Sequence, residues 1–253
     1  LTRNPESDLR PFYFPGGPIG CLLIHGFSGD VLEVRDLGEY LATQGYTVRG
    51  PLLPGHGASP EAMAATGRHD WLHSAEAELR LLQRTCRTVF VAGLSMGGAI
   101  SLILARRHQV AGVISMSTPA PLKRWQMGTL LVLRRFLKWL PWVDRRPAIT
   151  GQLWTYSRLP LAQVLELARL ICRLPYVLPR VHAPVLILQG QRDHAIAPAS
   201  AQFIHDRLGS ADKTVHFLPN SGHNIVTGLD RETVWRTVVE FISRVSNAGP
   251  TSS

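Results

Sequence analysis

The chain has 253 residues, 45% of them apolar and none in a repeat or low-complexity tract, so a disordered or fibrous protein is excluded and one large domain able to hold a pocket is expected. The best candidate for a membrane span, Leu130 to Leu140, is about half the required ~20 residues and is broken by Arg134, Arg135 and Lys138. The net charge of +9 is concentrated between Leu122 and Arg180, where eleven Lys or Arg meet two acids, Asp144 and Glu166, and no recognised motif accompanies it, so nucleic acid is not an expected partner.

Along the chain, no signal peptide is visible, and the expected location is the cytoplasm, with an upstream segment left open by the start at Leu1. Apolar runs that do not alternate, Ile19 to Ile24, Val89 to Ala92, Val110 to Met116 and Val185 to Leu188, predict parallel strands buried on both faces. Helical stripes lie between and beyond them: Leu72, Ala75, Leu79, Leu82 and Cys86, then Val234, Val238, Ile242 and Val245. This alternation predicts an α/β fold, a doubly wound and mostly parallel sheet with functional groups on loops past the carboxyl ends of the strands. It breaks from Pro119 to Val181. A small helical cap is expected there, inserted into a core of residues 1–118 and 182–253. Its stripes are Leu130, Leu133, Phe136, Leu137 and Leu140, and then Leu161, Val164, Leu165, Ala168 and Ile171. Cys21, Cys86 and Cys172 are odd in number and sit among apolar residues, which predicts buried free thiols. None of the ten histidines falls in a metal-ligand spacing, so no metal is expected.

Gly93-Leu94-Ser95-Met96-Gly97-Gly98 follows a strand and opens a helix expected to run from Met96 to about His108, the context of a nucleophilic serine on a tight strand-to-helix turn. Such a serine needs a histidine to take its proton and an acid to orient that histidine, in the chain order serine, acid, histidine. Asp193 follows the strand Val185 to Leu188, whereas Asp206, Asp212 and Asp230 fall on helices or their caps. His223 lies in a turn-forming loop after the strand Val215 to Leu218, whereas His205 falls on a helix, His216 inside a strand, and His194 abuts Asp193.

With these residues in place, the chain resembles the small bacterial α/β-hydrolases that include carboxylesterases and monoacylglycerol lipases with a short helical cap. The resemblance rests on His25-Gly26-Phe27-Ser28-Gly29, Leu53-Pro54-Gly55-His56-Gly57, the turn Gly93 to Gly98, Asp193 and Ser221-Gly222-His223, and spans nearly the whole chain. It implies the α/β-hydrolase fold, Ser95 as nucleophile, His223 as general base and then acid, and Asp193 as the group that stabilises the imidazolium. By the same likeness the backbone amides of Phe27 and Met96 form the oxyanion hole. His25 supports the Phe27 loop, and His56 belongs to a surface loop near the site. No cofactor is required.

The expected reaction is hydrolysis of short- to medium-chain acyl esters through an acyl-enzyme. A monoacylglycerol lipase is the alternative, and a thioesterase or amidase shares the same parts. Similar monoacylglycerol lipases carry an acidic residue after a cap tyrosine; here Ser157 follows Tyr156, which tilts the reading toward a carboxylesterase. A receptor on the same fold, without turnover, is the remaining class. The expected partner is a small-molecule or lipid ester, with no obligate protein partner. Trp125, Trp139, Trp142 and Trp154 among the cap arginines suit transient contact with an anionic lipid surface, against the favoured reading of a solvated basic face.

Overall fold

A computed structural model describes residues 9–141, 156 and 158–247. Seven strands form one sheet: β1 (Phe12–Phe14), β2 (Ile19–Ile24), β3 (Thr47–Gly50), β4 (Thr88–Leu94), β5 (Gly112–Met116), β8 (Val185–Gly190) and β9 (Lys213–Leu218). Their spatial order is β1-β3-β2-β4-β5-β8-β9, with β1 antiparallel to β3 and every other neighbouring pair parallel.

The central strands read as unbroken apolar runs because successive residues serve opposite layers. On one face Leu22, Val91, Val113 and Ile187 pack against Trp71 and Leu79 of the helix Arg68–Thr85 and against Ile100 and Ile103 of the helix Met96–Arg107. On the other, Leu23, Phe90, Ile114 and Leu186 meet Leu37 and Leu41 of the helix Leu32–Thr43 and Val238 and Ile242 of the helix Arg231–Asn247. From β2 the chain first adds β3 on one side and then returns to place β4 on the other. The carboxyl ends of β2 and β4 therefore flank the crevice where the winding reverses, the position at which open parallel sheets bind ligands.

Between β5 and β8 lie the helix Arg124–Leu133, β6 (Trp139–Pro141), β7 (Arg158–Pro160) and the helix Leu161–Ile171. The second expected stripe is present: Leu161, Leu165, Ala168 and Ile171 are buried on the last of these helices. The first stripe is corrected. Its helix stops at Leu133, and Trp139–Pro141 pairs antiparallel with Arg158–Pro160, Leu140 opposite Leu159, so Phe136, Leu137 and Leu140 do not share a helical face with Leu130.

The helices Arg124–Leu133 and Leu161–Ile171 are held very differently. Leu161–Ile171 is tied to the rest of the chain by Gln163 Nε2, which donates to the carbonyls of Ala64 and Thr66 at 3.0 Å each. Its Glu166 pairs with Arg68 of the neighbouring helix as well as with Arg169. Arg124–Leu133 buries none of its residues, and Trp125, Val132 and Phe136 are exposed by 67%, 59% and 78%.

Candidate active site

β4 ends at Leu94 and a helix begins at Met96, leaving Ser95 alone to turn the chain, at φ 55 and ψ −114. A positive φ in a residue that carries a side chain is sterically costly and persists only where the surroundings enforce it. They do so through close approach. A Cβ on Gly93 would stand 2.2 Å from the Gly97 carbonyl, one on Gly97 2.1 Å from the Ile24 carbonyl oxygen, and one on Gly98 1.9 Å from Thr118 Oγ1. The Ser95 N–H donates to the Met116 carbonyl at 2.7 Å, which fixes the turn to the end of β5.

Asp193 follows β8 and His223 follows β9, the two strands beyond β5, so the parallel order brings both loops to the edge that carries Ser95. The Nδ1 of His223 lies 2.8 Å from Asp193 Oδ2. Four donors converge on that carboxylate: the N–H groups of Ala195 and Ile196 on Oδ1 at 2.9 and 2.8 Å, and His223 and Gln189 Nε2 on Oδ2. Burial by itself raises the Asp193 carboxyl, but the bond and charge of His223 together with the two amides outweigh it and hold the group below the usual carboxylate value. The His223 ring remains partly exposed, at 21%. With Nδ1–H committed to a carboxylate, its Nε2 lone pair is left to accept a proton.

Phe27 follows β2, and a Cβ built on the preceding Gly26 would lie 3.5 Å from Ser95 Cβ, which places this loop against the serine. Met96 is the first residue of the helix, and its N–H has no intrahelical acceptor. His25 is fully buried. Its Nε2 accepts the Leu53 N–H at 3.0 Å, so Nδ1 carries the proton and donates to the Gly26 carbonyl at 2.9 Å. His56 is not the surface residue expected from the sequence. It is 3% exposed and packs among the rings of His25, Phe27 and Trp71, while its Nδ1 donates to the Pro54 carbonyl at 3.1 Å.

Burial pushes His25 down to about 4 and His56 down to about 3, the latter also through the nearby His25 ring. Both rings therefore stay neutral when folded at a pH where the unfolded chain, with histidines near 6.5, already binds protons. Their contribution to stability is full above ~6.5 and is lost as pH falls from there toward the folded values, at about 1.4 kcal/mol per ring per pH unit. In thermal melts between pH 7 and pH 4, His56→Asn is expected to flatten the decline of Tm relative to the parent. An unchanged slope would contradict the burial argument.

The profile of the serine aminopeptidase S33 family of hydrolases matches residues 20–230. The chain belongs to this family. As an S33 hydrolase it is 34% identical over 241 residues to a protein of Bacillus sp. (strain H-257) named thermostable monoacylglycerol lipase, covering 94% of this chain and 96% of that one. A Bacillus subtilis (strain 168) protein named carboxylesterase is 30% identical over 241 residues, covering 93% and 97%. Among solved structures, one from work on LipS and LipT, two metagenome-derived lipolytic enzymes, superposes with a TM-score of 0.88 at 31% identity, covering 93% of this chain and 98% of that chain. The S33 hydrolase thus has the α/β-hydrolase fold expected from its strand and helix pattern.

Two polar residues of this S33 hydrolase were not singled out in the sequence. Gln189, 1% exposed at the end of β8, donates to Asp193. Glu33, 3% exposed, accepts the Gly26 N–H on Oε2 at 2.8 Å. Glu33 did carry a signal: it sits four residues before Leu37 and eight before Leu41, a charge on the stripe that faces the sheet.

Proposed function

We propose that this chain is a serine carboxylesterase/lipase that hydrolyses short- to medium-chain acyl esters, with Ser95 as nucleophile, His223 as proton carrier and Asp193 as its orienting acid. The observation that carries the reading is the 2.8 Å contact of His223 Nδ1 with the buried Asp193 carboxylate, on loops that share the sheet edge of the strained Ser95. In the proposed reaction Ser95 Oγ attacks the ester carbonyl carbon while its proton passes to His223 Nε2. The Phe27 and Met96 N–H groups receive the negative charge that forms on the carbonyl oxygen, a site where one donor is worth ~3 kcal/mol of transition-state stabilisation. Collapse breaks the bond to the alcohol, which leaves with the proton from His223. Water then attacks the acyl-serine and gives a proton to the same nitrogen, and the carboxylic acid departs as Ser95 regains its hydrogen. Asp193 stays ionised throughout and favours the imidazolium by charge.

The 34% identity to a protein named monoacylglycerol lipase supports a second reading, in which the alcohol is glycerol and the mechanism is unchanged. In either case the substrate is a small ester. Contact with an anionic lipid surface belongs to the same proposal, because the exposed Trp125, Leu131, Val132, Phe136 and Leu137 stand among Lys123, Arg124, Arg134, Arg135 and Lys138 on one cap segment. No helix among the described residues is long and apolar enough to cross a membrane. The three cysteines are free thiols, which supports the cytoplasm as the compartment, and fractionation of the producing cells tests it.

One experiment tests the reaction and its substrate together. A fluorophosphonate probe is expected to label Ser95, and p-nitrophenyl esters of rising chain length to give highest rates at short to medium length. A monoacylglycerol is then assayed alone and in anionic vesicles, where a salt-sensitive gain in rate is expected. An unlabelled Ser95 would overturn the mechanism, a rate maximum on the monoacylglycerol would select the second reading, and equal rates with and without vesicles would remove the lipid contact.

A further inference from the structure

Gly26 has no side chain to limit its dihedrals, and it lies one position before Phe27, whose N–H is aimed at the serine under the reading above. Its backbone is held from both sides. The Gly26 carbonyl accepts from His25 Nδ1, and because a trans peptide sets that carbonyl antiparallel to the next N–H, this bond fixes the direction of the Phe27 N–H. The Gly26 N–H, in the preceding peptide plane, donates to Glu33 Oε2 at 2.8 Å. Two successive planes are thereby fixed, and with them both dihedrals of Gly26.

The loop is built around the carboxylate. A Cβ on Gly29 would fall 2.3 Å from Glu33 Cδ, and one on Gly26 would fall 3.0 Å from Oε2 and 3.5 Å from Ser95 Cβ. Glu33 stands in the first turn of the helix Leu32–Thr43, where the exposed peptide dipoles favour a negative charge. A buried acid on an otherwise apolar stripe is costly unless it is paired or hydrogen-bonded, and here it accepts from the loop that carries the proposed oxyanion donor.

We propose that Glu33 is a positioning residue of the oxyanion hole, acting through the Gly26 N–H to hold the Phe27 amide in place. The inference rests on the mechanism proposed above. The function depends on an acceptor at this point and not on the charge, so Glu33→Gln, which keeps a carbonyl oxygen there, separates positioning from electrostatics.

The test uses the full chain with a p-nitrophenyl ester and a boronic acid transition-state analogue. Glu33→Leu is expected to lower kcat about tenfold to a hundredfold with KM within about threefold of the parent, and to weaken the boronic acid by the same factor as kcat. Glu33→Gln is expected to stay within about threefold of the parent in both. An unchanged kcat in Glu33→Leu would overturn the proposal, and so would a loss in Glu33→Gln as large as in Glu33→Leu. If Glu33→Leu fails to fold, Glu33→Met, which also lacks a hydrogen-bond acceptor comparable to a carboxylate, takes its place under the same limits. A parent chain that neither hydrolyses the ester nor labels with fluorophosphonate would refute the underlying mechanism, a result distinct from an active parent whose rate ignores Glu33.

Discussion

Ser95→Ala is expected to lower ester turnover by about six orders of magnitude, the scale seen when the nucleophile of a serine hydrolase is removed. The loss is all-or-none because the hydroxyl oxygen itself forms the acyl bond, and no neighbour can replace it. Alanine at position 95 must still adopt φ 55, so the backbone of the turn and the bond from its N–H to Met116 are retained. Folded protein without activity is therefore the expected pair of observations, read by circular dichroism and by p-nitrophenyl ester hydrolysis. Adding His223→Ala is expected to cost almost nothing more, since the two groups act as one unit. Turnover in Ser95→Ala above about a thousandth of the parent rate would exclude the proposed mechanism.

Asp193→Asn is expected to lower kcat/KM by about 10⁴, the second largest effect, and for a geometric reason. The Ala195 and Ile196 N–H groups, at 2.9 and 2.8 Å, require an oxygen at the Oδ1 position. The amide nitrogen of asparagine must then take the Oδ2 position, facing His223 Nδ1 and Gln189 Nε2. Donor facing donor drives the His223 proton onto Nε2, and a ring in that tautomer cannot accept one from Ser95. Gln189 Nε2 also loses its carboxylate acceptor and keeps only the Gly190 carbonyl, and a poorly paired buried donor costs about 1–3 kcal/mol, so a lowered Tm is expected alongside the kinetic loss. A kcat/KM within tenfold of the parent would remove Asp193 from the proposed set.

How much of this could be read from the sequence follows from what each residue contacts. The run Ile19 to Ile24 coincides with β2 because both faces of that strand are covered, and burial leaves an unbroken apolar signal. The run beginning at Val110 starts two residues ahead of β5. Val110 and Ala111 are apolar because they pack against the two cores, yet the strand pairing begins at Gly112. The meeting of Asp193 with His223 was legible because alternating strands and helices predict parallel strands, which put the loops that follow them at one edge of the sheet. The segment between β5 and β8 was legible only in part. Leu140 belongs to a pairing with Leu159, nineteen residues further on, and helical periodicity carries no information about such a partner. His56 escaped for a related reason, being explained by three rings around it, whereas Glu33 was marked only by a charge on an apolar stripe, a pattern that does not name the Gly26 N–H as its partner.

The pairing of Glu166 with Arg68 has a consequence for which part of the segment between β5 and β8 can move. A helix anchored by an ion pair, by Gln163 on two carbonyls and by a buried apolar face resists displacement as a unit, since moving it would break all three at once. The Arg124–Leu133 helix, with no buried residue, carries no comparable penalty. Of the two, Leu161–Ile171 is therefore the stationary wall and Arg124–Leu133 the side that yields first under load.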